Sequence, residues 1–445
     1  MSHLLAVRKG EDVMSTMTGN LRRTILFGVI GTLVIAGAVR LARADVASDK
    51  PGAILVFPKV VVDTSGLLGP PTDTEIQITN TSSSVISARC YLINSNSHCS
   101  NAPTTVCTAA GVAESAAAGA GGCPAGGTCV GPCNPQVVEN DFRLTLTKRQ
   151  PVTWKASEPL RVFPCDEVGC ALGNNAGSQW PGVQEDPFVG EIKCVEVSPT
   201  LVNADGEPQP IPGLDPVNGF TGDLKGEATI VSISTSGPAV DARKYNAIGI
   251  QSLGPNSNNS GLDTLMLGGP NAEYNGCPKL LIVDNLFDNA PVTTHGGSFS
   301  ASVITDLTFV PCSEDLATQS PTAATLQFLV YNEFEQRFST SIGFSCFKEV
   351  QLSDIDTRPG PFGNAQSIFN FAVQGTLAGQ IRIRPVAGAT TDNRVLAVSE
   401  EFWVSSGPNG LSSAATNVDL VQGAGNGDQV CLEGASAAEG CTIMH

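Results

Sequence analysis

The sequence predicts an all-β fold of two β-sandwich domains, and three observations lead there. Charged residues make up only 15% of the chain, against 47 glycines and 29 prolines, a composition suited to short strands joined by turns. Segments rich in Val, Ile and Thr alternate apolar and polar residues, as strands with one buried face do. Nothing sustains a helical period for three turns; Gly111 to Ala120 comes nearest, and its glycines oppose a helix.

The first element is a leader. Arg22 and Arg23 precede an uncharged apolar run from Thr24 to Val39, which ends at Leu41-Ala42-Arg43-Ala44. A basic flank, an apolar run and small residues at Ala42 and Ala44 have the layout of a signal peptide whose cleavage leaves Asp45 first. The run is shorter than the about 20 apolar residues of an uncleaved anchor. A twin-arginine signal is the other rival, but that route carries proteins folded in a reducing compartment and sits poorly with many cysteines. Met14 and Met17 are alternative starts that give a more compact leader. Residues 45–445 hold 19 Lys and Arg against 40 Asp and Glu, a net charge near −21, which disfavours nucleic acid and anionic lipid as partners. No membrane span is expected after cleavage.

All fourteen cysteines follow the expected cleavage site, and an even count in an exported chain points to disulfides. Cys165 with Cys170 and Cys431 with Cys441 are the expected short-loop pairs. The absence of any C-x-x-C pair argues against a zinc or iron–sulfur site.

Beyond the leader the chain is too long for one core. The expected division is 45–260 for the first sandwich, 277–405 for the second and 406–445 for a C-terminal tail. Ala53 to Val62 is apolar on both faces, as in a strand buried between layers, and Pro58 implies a bulge. Thr74 to Thr79 alternates, the polar run Asn80 to Ser84 turns, and Val85 to Leu92 returns, which reads as a hairpin. Asp141 to Thr147, Gly190 to Val197 and Gly226 to Ile233 continue the pattern. Cys99 to Gln136, rich in Ala and Gly with five cysteines, is a disulfide-rich insertion; it reads as a contact loop or, more plainly, as surface decoration.

The second set of strands is Lys279 to Asp284, Ser302 to Val310, Thr325 to Tyr331, Arg337 to Phe344, Gly379 to Arg384 and Val395 to Trp403. Here the halves echo each other. Ile76 to Asn80 resembles Phe328 to Asn332, Gly190 to Lys193 resembles Gly379 to Arg382, and Cys90 and Cys346 each follow a second hairpin strand. Internal duplication and chance similarity of short β segments both account for this.

Catalytic signals are sparse. Residues 45–445 carry three histidines, His98, His295 and His445, none in a nucleophile or metal motif, and G-x-S-x-G and H-E-x-x-H are both missing. Ser345 and Lys348 match S-x-x-K by spacing alone. Carboxylate pairs occur at Glu333 and Glu335, Asp354 and Asp356, and Glu400 and Glu401. A glycosidase needs two such groups, but the plainer reading is solvated turns. The tip Asn332-Glu333-Phe334-Glu335-Gln336 is the most distinctive short segment. It reads either as a contact loop presenting Phe334 between two acids or, structurally, as a turn with Phe334 folded over the sandwich end. No cofactor is expected. Calcium is weighed at Asn256 to Gly261, where Leu267 replaces the bidentate Glu of a calcium loop, at Asn203 to Glu207, and at Asp284-Asn285 with Asp288-Asn289. Each also reads as an ordinary turn.

The segments AILVFPKVVVDTSG, DTEIQITNTSS, DFRLTLTKRQPVTW, LKGEATIVS with KYNAIGI, and FLVYNEFEQRFS resemble those of uncharacterised exported β-rich proteins of environmental Gram-negative bacteria. The I-x-I-T-N-T segment is more loosely similar to bacterial immunoglobulin-like modules. The resemblance implies shared fold and export, not an activity. The expectation is a non-catalytic secreted or cell-surface protein, with the periplasm as the other location. It would act in adhesion, ligand binding or envelope structure through a protein or glycan partner. Self-assembly by strand addition through Asp45 to Val62 is a sharper variant. The alternative is an extracellular carbohydrate-active hydrolase using paired carboxylates beside Trp154, Trp180 or Trp403.

Overall fold

A computed structural model describes residues 46–427, apart from 68, 107–122, 124–126, 131–137, 159–181, 184, 203–207, 211–221, 234–239, 254–264, 266, 269–272, 294–299, 313–322, 357, 360–364, 387–393, 406–410 and 424–425. The expected leader, the pairs Cys165–Cys170 and Cys431–Cys441, the Asn203 to Glu207 and Asn256 to Gly261 turns, Trp180, His295 and His445 lie outside the described residues.

The first half runs β1 (Val46–Ala47), β2 (Ile54–Val62), β3 (Thr72–Asn80), β4 (Ile86–Asn94), β5 (His98–Cys99), β6 (Ala102–Val106), β7 (Cys129–Val130), β8 (Val138–Leu146), β9 (Pro151–Lys155), β10 (Phe188–Val202), β11 (Pro208–Pro210), β12 (Leu224–Ile233), β13 (Val240–Asn246) and β14 (Ile248–Ile250). The second runs β15 (Leu280–Leu286), β16 (Pro291–Thr293), β17 (Ser300–Pro311), β18 (Ala323–Asn332), β19 (Arg337–Ser345), β20 (Lys348–Gln351), helix α1 (Leu352–Ile355), β21 (Arg358–Pro359), β22 (Ala365–Gln366), helix α2 (Phe371–Gln374), β23 (Ala378–Pro385), β24 (Val395–Ser405), β25 (Leu411–Asn417), β26 (Asp419–Gly423) and β27 (Asn426–Gly427). The protein is therefore all-β, with several antiparallel sheets.

Each half contributes two large sheets, and their strand orders correspond. In the first half β14-β2-β10-β4-β8 form one sheet and β13-β12-β3-β9 the other; in the second, β26-β15-β23-β18-β19 and β25-β24-β17-β20 repeat the sequence of connections. Register follows as well. Asn94 at the end of β4 faces Gly190, and Asn332 at the end of β18 faces Gly379. Both glycines lie against an aromatic ring and a neighbouring strand's carbonyl: a Cβ would sit 2.1 Å from Ile93 O and 2.6 Å from Phe188 Cζ at Gly190, and 2.4 Å from Phe287 Cζ and 2.9 Å from Tyr331 O at Gly379, so no larger residue fits at either position without a shift of the backbone or the ring.

This register corrects two sequence readings. The segment matching Phe328 to Asn332 is Cys90 to Asn94, not Ile76 to Asn80. Nor do Thr74 to Thr79 and Val85 to Leu92 form a hairpin: β3 pairs with β9 and β12, while β4 pairs with β8 and β10. The Asn80 to Ser84 run arches from one sheet to the other. Buried Asn80 holds the arch by donating to Ser84 O and Thr147 O and accepting from Ser82 N. Alternation alone cannot distinguish an arch from a hairpin, since both leave one face buried.

The tail boundary at 406 also moves. β25 pairs with β24 and β26 with β15, so residues through 423 complete the second half. Strand addition through Asp45 to Val62 loses its basis, because β2 is hydrogen-bonded on both sides, to β14 and β10. Of that segment's described residues, the short β1 alone lies at an edge of the sheet, whose opposite edge is β8.

The four large sheets close into a ring resembling a four-bladed propeller. Leu55 and Phe57 pack with Ile76, Ile78 and Ile230 in the first half's core. The alternate residues Ile54 and Val56 join a second core with Leu281, Val283, Phe309, Phe328 and Ile383 from the second half. β13 packs against β25 to complete the ring. No helix among the described residues is long and apolar enough to cross a membrane. All the described cysteines are disulfide-bonded, including the pairs Cys90–Cys194, Cys99–Cys123 and Cys277–Cys312.

Pro58 does produce an irregularity: the β2–β10 register shifts between Gly190 and Ile192. The bulge leaves the Lys59 N–H and carbonyl outside the ladder, where the Tyr245 hydroxyl accepts from the first and donates to the second. It also aims the Lys59 side chain at the junction of three sheets.

Candidate ligand-binding site

The titratable side chains separate into two groups, a buried set that fastens sheets together and a set that lines a cleft. In the buried set, Lys59 Nζ pairs with Glu349, at 2.7 Å, and with Glu400. Arg243 Nε reaches Glu400 at 2.8 Å, and its Nη1 reaches Asp241 at 2.9 Å. Burial opposes the Lys59 charge, but Glu349 and Glu400 outweigh it and hold the ammonium above its ordinary range. Burial likewise opposes ionisation of Glu400, yet Lys59 and Arg243 bring its carboxyl below the ordinary value. Half-buried Asp306 is pushed up to about 7 by burial and by the charge of Glu349, with Lys59 opposing and Glu400 adding to the rise. The expectation that Glu400 and Glu401 form a solvated turn is thus corrected: both lie on β24, Glu400 is buried inside, and Glu401 faces the other way.

His98 belongs to a smaller clamp. The Glu185 carboxylate accepts from Asn94 Nδ2 at 2.6 Å and Asn96 Nδ2 at 2.5 Å, and lies 3.1 Å from His98 Nε2. Burial raises the Glu185 pKa, but these partners lower it further, leaving it below the ordinary value. Asn94, Asn96 and His98 are all buried. The clamp fills the strand end at the Asn94–Gly190 register position with a carboxylate from the chain itself.

At the corresponding strand end of the second half lies an open cleft of about 1060 Å³. β18 alternates so that Leu326, Phe328 and Val330 enter the core, leaving Tyr331 on the opposite face. Asn332 then organises the tip: its Oδ1 accepts from Phe334 N and Gln336 N, both at 3.0 Å, and its Nδ2 donates to Gln336 Oε1 and Gln374 Oε1. Glu335 takes a left-handed backbone, φ 60°. Phe334 is 66% exposed and does not fold over the sheet end. Glu333 Oε1 accepts from Ala378 N at 3.1 Å, tying the tip to the start of β23.

Strand pairing brings the other cleft residues to this tip. Gln380 lies opposite both Tyr331 and Asp284 and donates to Asp284 Oδ1 at 3.1 Å. Arg382 donates to Gln380 Oε1, and its guanidinium carbon lies 4.9 Å from the centre of the Tyr331 ring, a cation–π contact. Glu401, which accepts from the Trp403 indole at 2.5 Å, contributes from β24. Asn285 also lines the cleft; it is 93% buried, its Nδ2 donates to Leu286 O, and its Oδ1 has no partner among the described residues. Leu377 and Phe334 leave exposed apolar surface beside this polar floor.

The structure therefore assembles Asn332, Glu333 and Glu335 with Asp284 and Asn285, which the sequence offered separately as a contact tip and an oxygen-rich turn. Asp288 does something else: buried, it accepts from Thr305 N and Ser353 N. Tyr331, Gln380 and Arg382 gave no sequence signal as a site. Their one visible trace was outward-facing polar or aromatic residues on well-alternating strands. Trp154 is a core residue. Among the described residues no three His, Cys, Asp or Glu side chains converge as a metal site. The chain matches no protein-family profile, and no curated protein shows significant similarity to it.

Proposed function

We propose that the chain is exported and acts, without catalysis, as a ligand-binding protein at the cell surface or in the surrounding medium, with adhesion to a protein or glycan partner as its role. Its halves are read as immunoglobulin-like sandwiches related by duplication, which the matching strand orders support. Disulfides in both halves accord with an oxidising destination.

One observation carries the reading: the tip Asn332 to Gln336 shares a single open cleft with Asp284, Arg382 and Glu401 from three other strands. A concave site with a few convergent polar groups is the default place for a ligand. The hydrolase alternative draws on Trp403 and Glu401, which are bonded at the cleft.

The test is retention on arrays of immobilised glycans and peptides, using the protein and an Arg382→Ala variant, followed by product analysis. Retention by the protein alone, with the ligand recovered intact, supports the reading. Cleaved ligand moves the case to the hydrolase, and equal retention by both proteins sinks it.

A further inference from the structure

We propose that the ionic side of the seam between the halves is a pH-operated latch, tightest in mildly acidic surroundings, where Asp306 keeps its proton beside charged Glu400, and looser at neutral pH and above.

Strand pairing forces two acids together at this seam. Asp306 on β17 lies directly opposite Glu400 on β24. Opposite residues share a face of the sheet, with Cβ atoms about 5 Å apart, and like charges so placed oppose each other. The face is the one turned to the first half: Val398, two residues before Glu400, joins the first half's core, and Lys59 and Arg243 reach Glu400 from β2 and β13. Those two cations are already engaged by Glu349, Glu400 and Asp241. Among the described residues neither forms an ion pair with Asp306.

The other elements packed on β17 supply no further cation. β20 brings Glu349, opposite Thr308 on the Asp306 face, and uncharged Gln351, opposite Asp306 itself; Lys348 alternates to the other face. Asp288 follows β15, and α1 carries exposed Asp354 and ends at Asp356. Two cations therefore serve Glu349, Glu400, Asp241 and Asp306. Burial, and then the charge of Glu349, hold the Asp306 carboxyl up at about 7, while Lys59 and Arg243 keep Glu400 charged. Opening the seam to water returns Asp306 toward its ordinary 3.8. The open form thus gains as pH rises between those two values, and the gain levels off above about 7.

The seam is built to give way on this side. Its other side is apolar, with Ile54 and Val56 packed among Leu281 and Val283, and does not titrate. On the ionic side β13 and β25 belong to different sheets and share no ladder. Side chains join them instead: Asp241 Oδ1 accepts from Ser413 N at 3.1 Å, and Asn417 accepts from Asn246 N at 2.8 Å and donates to Asn246 O at 2.7 Å.

The experiment is residue-level hydrogen exchange of the purified protein at pH ~5 and ~8, corrected for intrinsic rates, in water and in dilute urea. Ser413 and Asn246 report the seam, and the central amides of β4 and β23 report whole-protein unfolding. We expect the two seam amides to open at least about tenfold more readily at the higher pH, with little urea dependence, since a local opening exposes little surface. The β4 and β23 amides should exchange only through a urea-sensitive opening. In Asp306→Asn the pH difference at the seam should vanish, and in Glu75→Gln, at an exposed acid of the first half, it should persist. Seam amides that share the urea dependence of β4 and β23 open only with the whole protein, which overturns the latch. So does a seam without pH dependence, or one whose pH dependence survives in Asp306→Asn. If that variant does not fold, the parent's pH and urea profiles decide by themselves.

Discussion

Ile383 lies directly opposite Phe328 on β23 and β18, at the register position where, in the first half, Cys194 faces and is bonded to Cys90. One half closes this place with a covalent link and the other with an aromatic ring. Phe328 packs edge-on against Phe309 and Phe369. The two solutions should be of similar weight. Cys90→Ala/Cys194→Ala is expected to lower stability by about 2–5 kcal/mol and Phe328→Ala by about 3–5 kcal/mol, read from urea unfolding of each variant.

Lys59 is the point at which charge joins the halves. Lys59→Met leaves Glu400 buried with Arg243 as its remaining cation and should cost about 3–5 kcal/mol. Adding Glu400→Gln should recover part of this, because the uncompensated charge is then gone. A double variant no more stable than Lys59→Met would show that the bulge geometry, rather than the pairing, sets the cost.

Asp306 gives a pH dependence of opposite sign to that of Glu400. Its carboxyl rises from the ordinary 3.8 to about 7 in the folded protein, so folding favours the protonated form and this contribution falls as pH rises through that interval. Asp306→Asn should therefore change little at pH ~4 and stabilise by about 1–2 kcal/mol at pH ~8, a figure reduced for the group's partial exposure. Glu400 and Glu185 are held below their ordinary value; their contribution is present above pH ~4.5 and is lost as pH falls through their folded values. Thermal melts from pH 3 to 9 separate the two trends.

At the cleft tip, Asn332 and Phe334 should part company. Asn332→Ala removes the acceptor of two backbone N–H groups and should cost about 1–3 kcal/mol. Phe334→Ser, at an exposed position, should stay within about 0.5 kcal/mol of the parent. A large loss for Phe334→Ser in differential scanning calorimetry would mean that this ring is structural.

The strands were legible because each carries its own alternation, and Pro58 announced its bulge because proline cannot donate to a ladder. The tip Asn332 to Gln336 stood out as a polar interruption between two such strands. Glu400 was not legible, since its cations lie 341 and 157 residues away in sequence and nothing local distinguishes it from Glu401. Tyr331, Gln380 and Arg382 were hidden for the same reason: they become neighbours only through the pairing of β18 with β23. The arch at Asn80 was misread because local pattern reports which face is buried, not which sheet receives the returning strand.

By register, the bulge that Pro58 and Lys59 form on β2 falls at the position of Asp284 on β15. Two separate subunits with one sequence would carry the same residue at both places, and could not seal their contact with a lysine while keeping a carboxylate in a cleft. A single chain whose two halves share a strand order but not a sequence escapes that constraint. In one half the position is a fastening and in the other it faces outward, so the division of labour between the halves is written into a single pair of opposite charges.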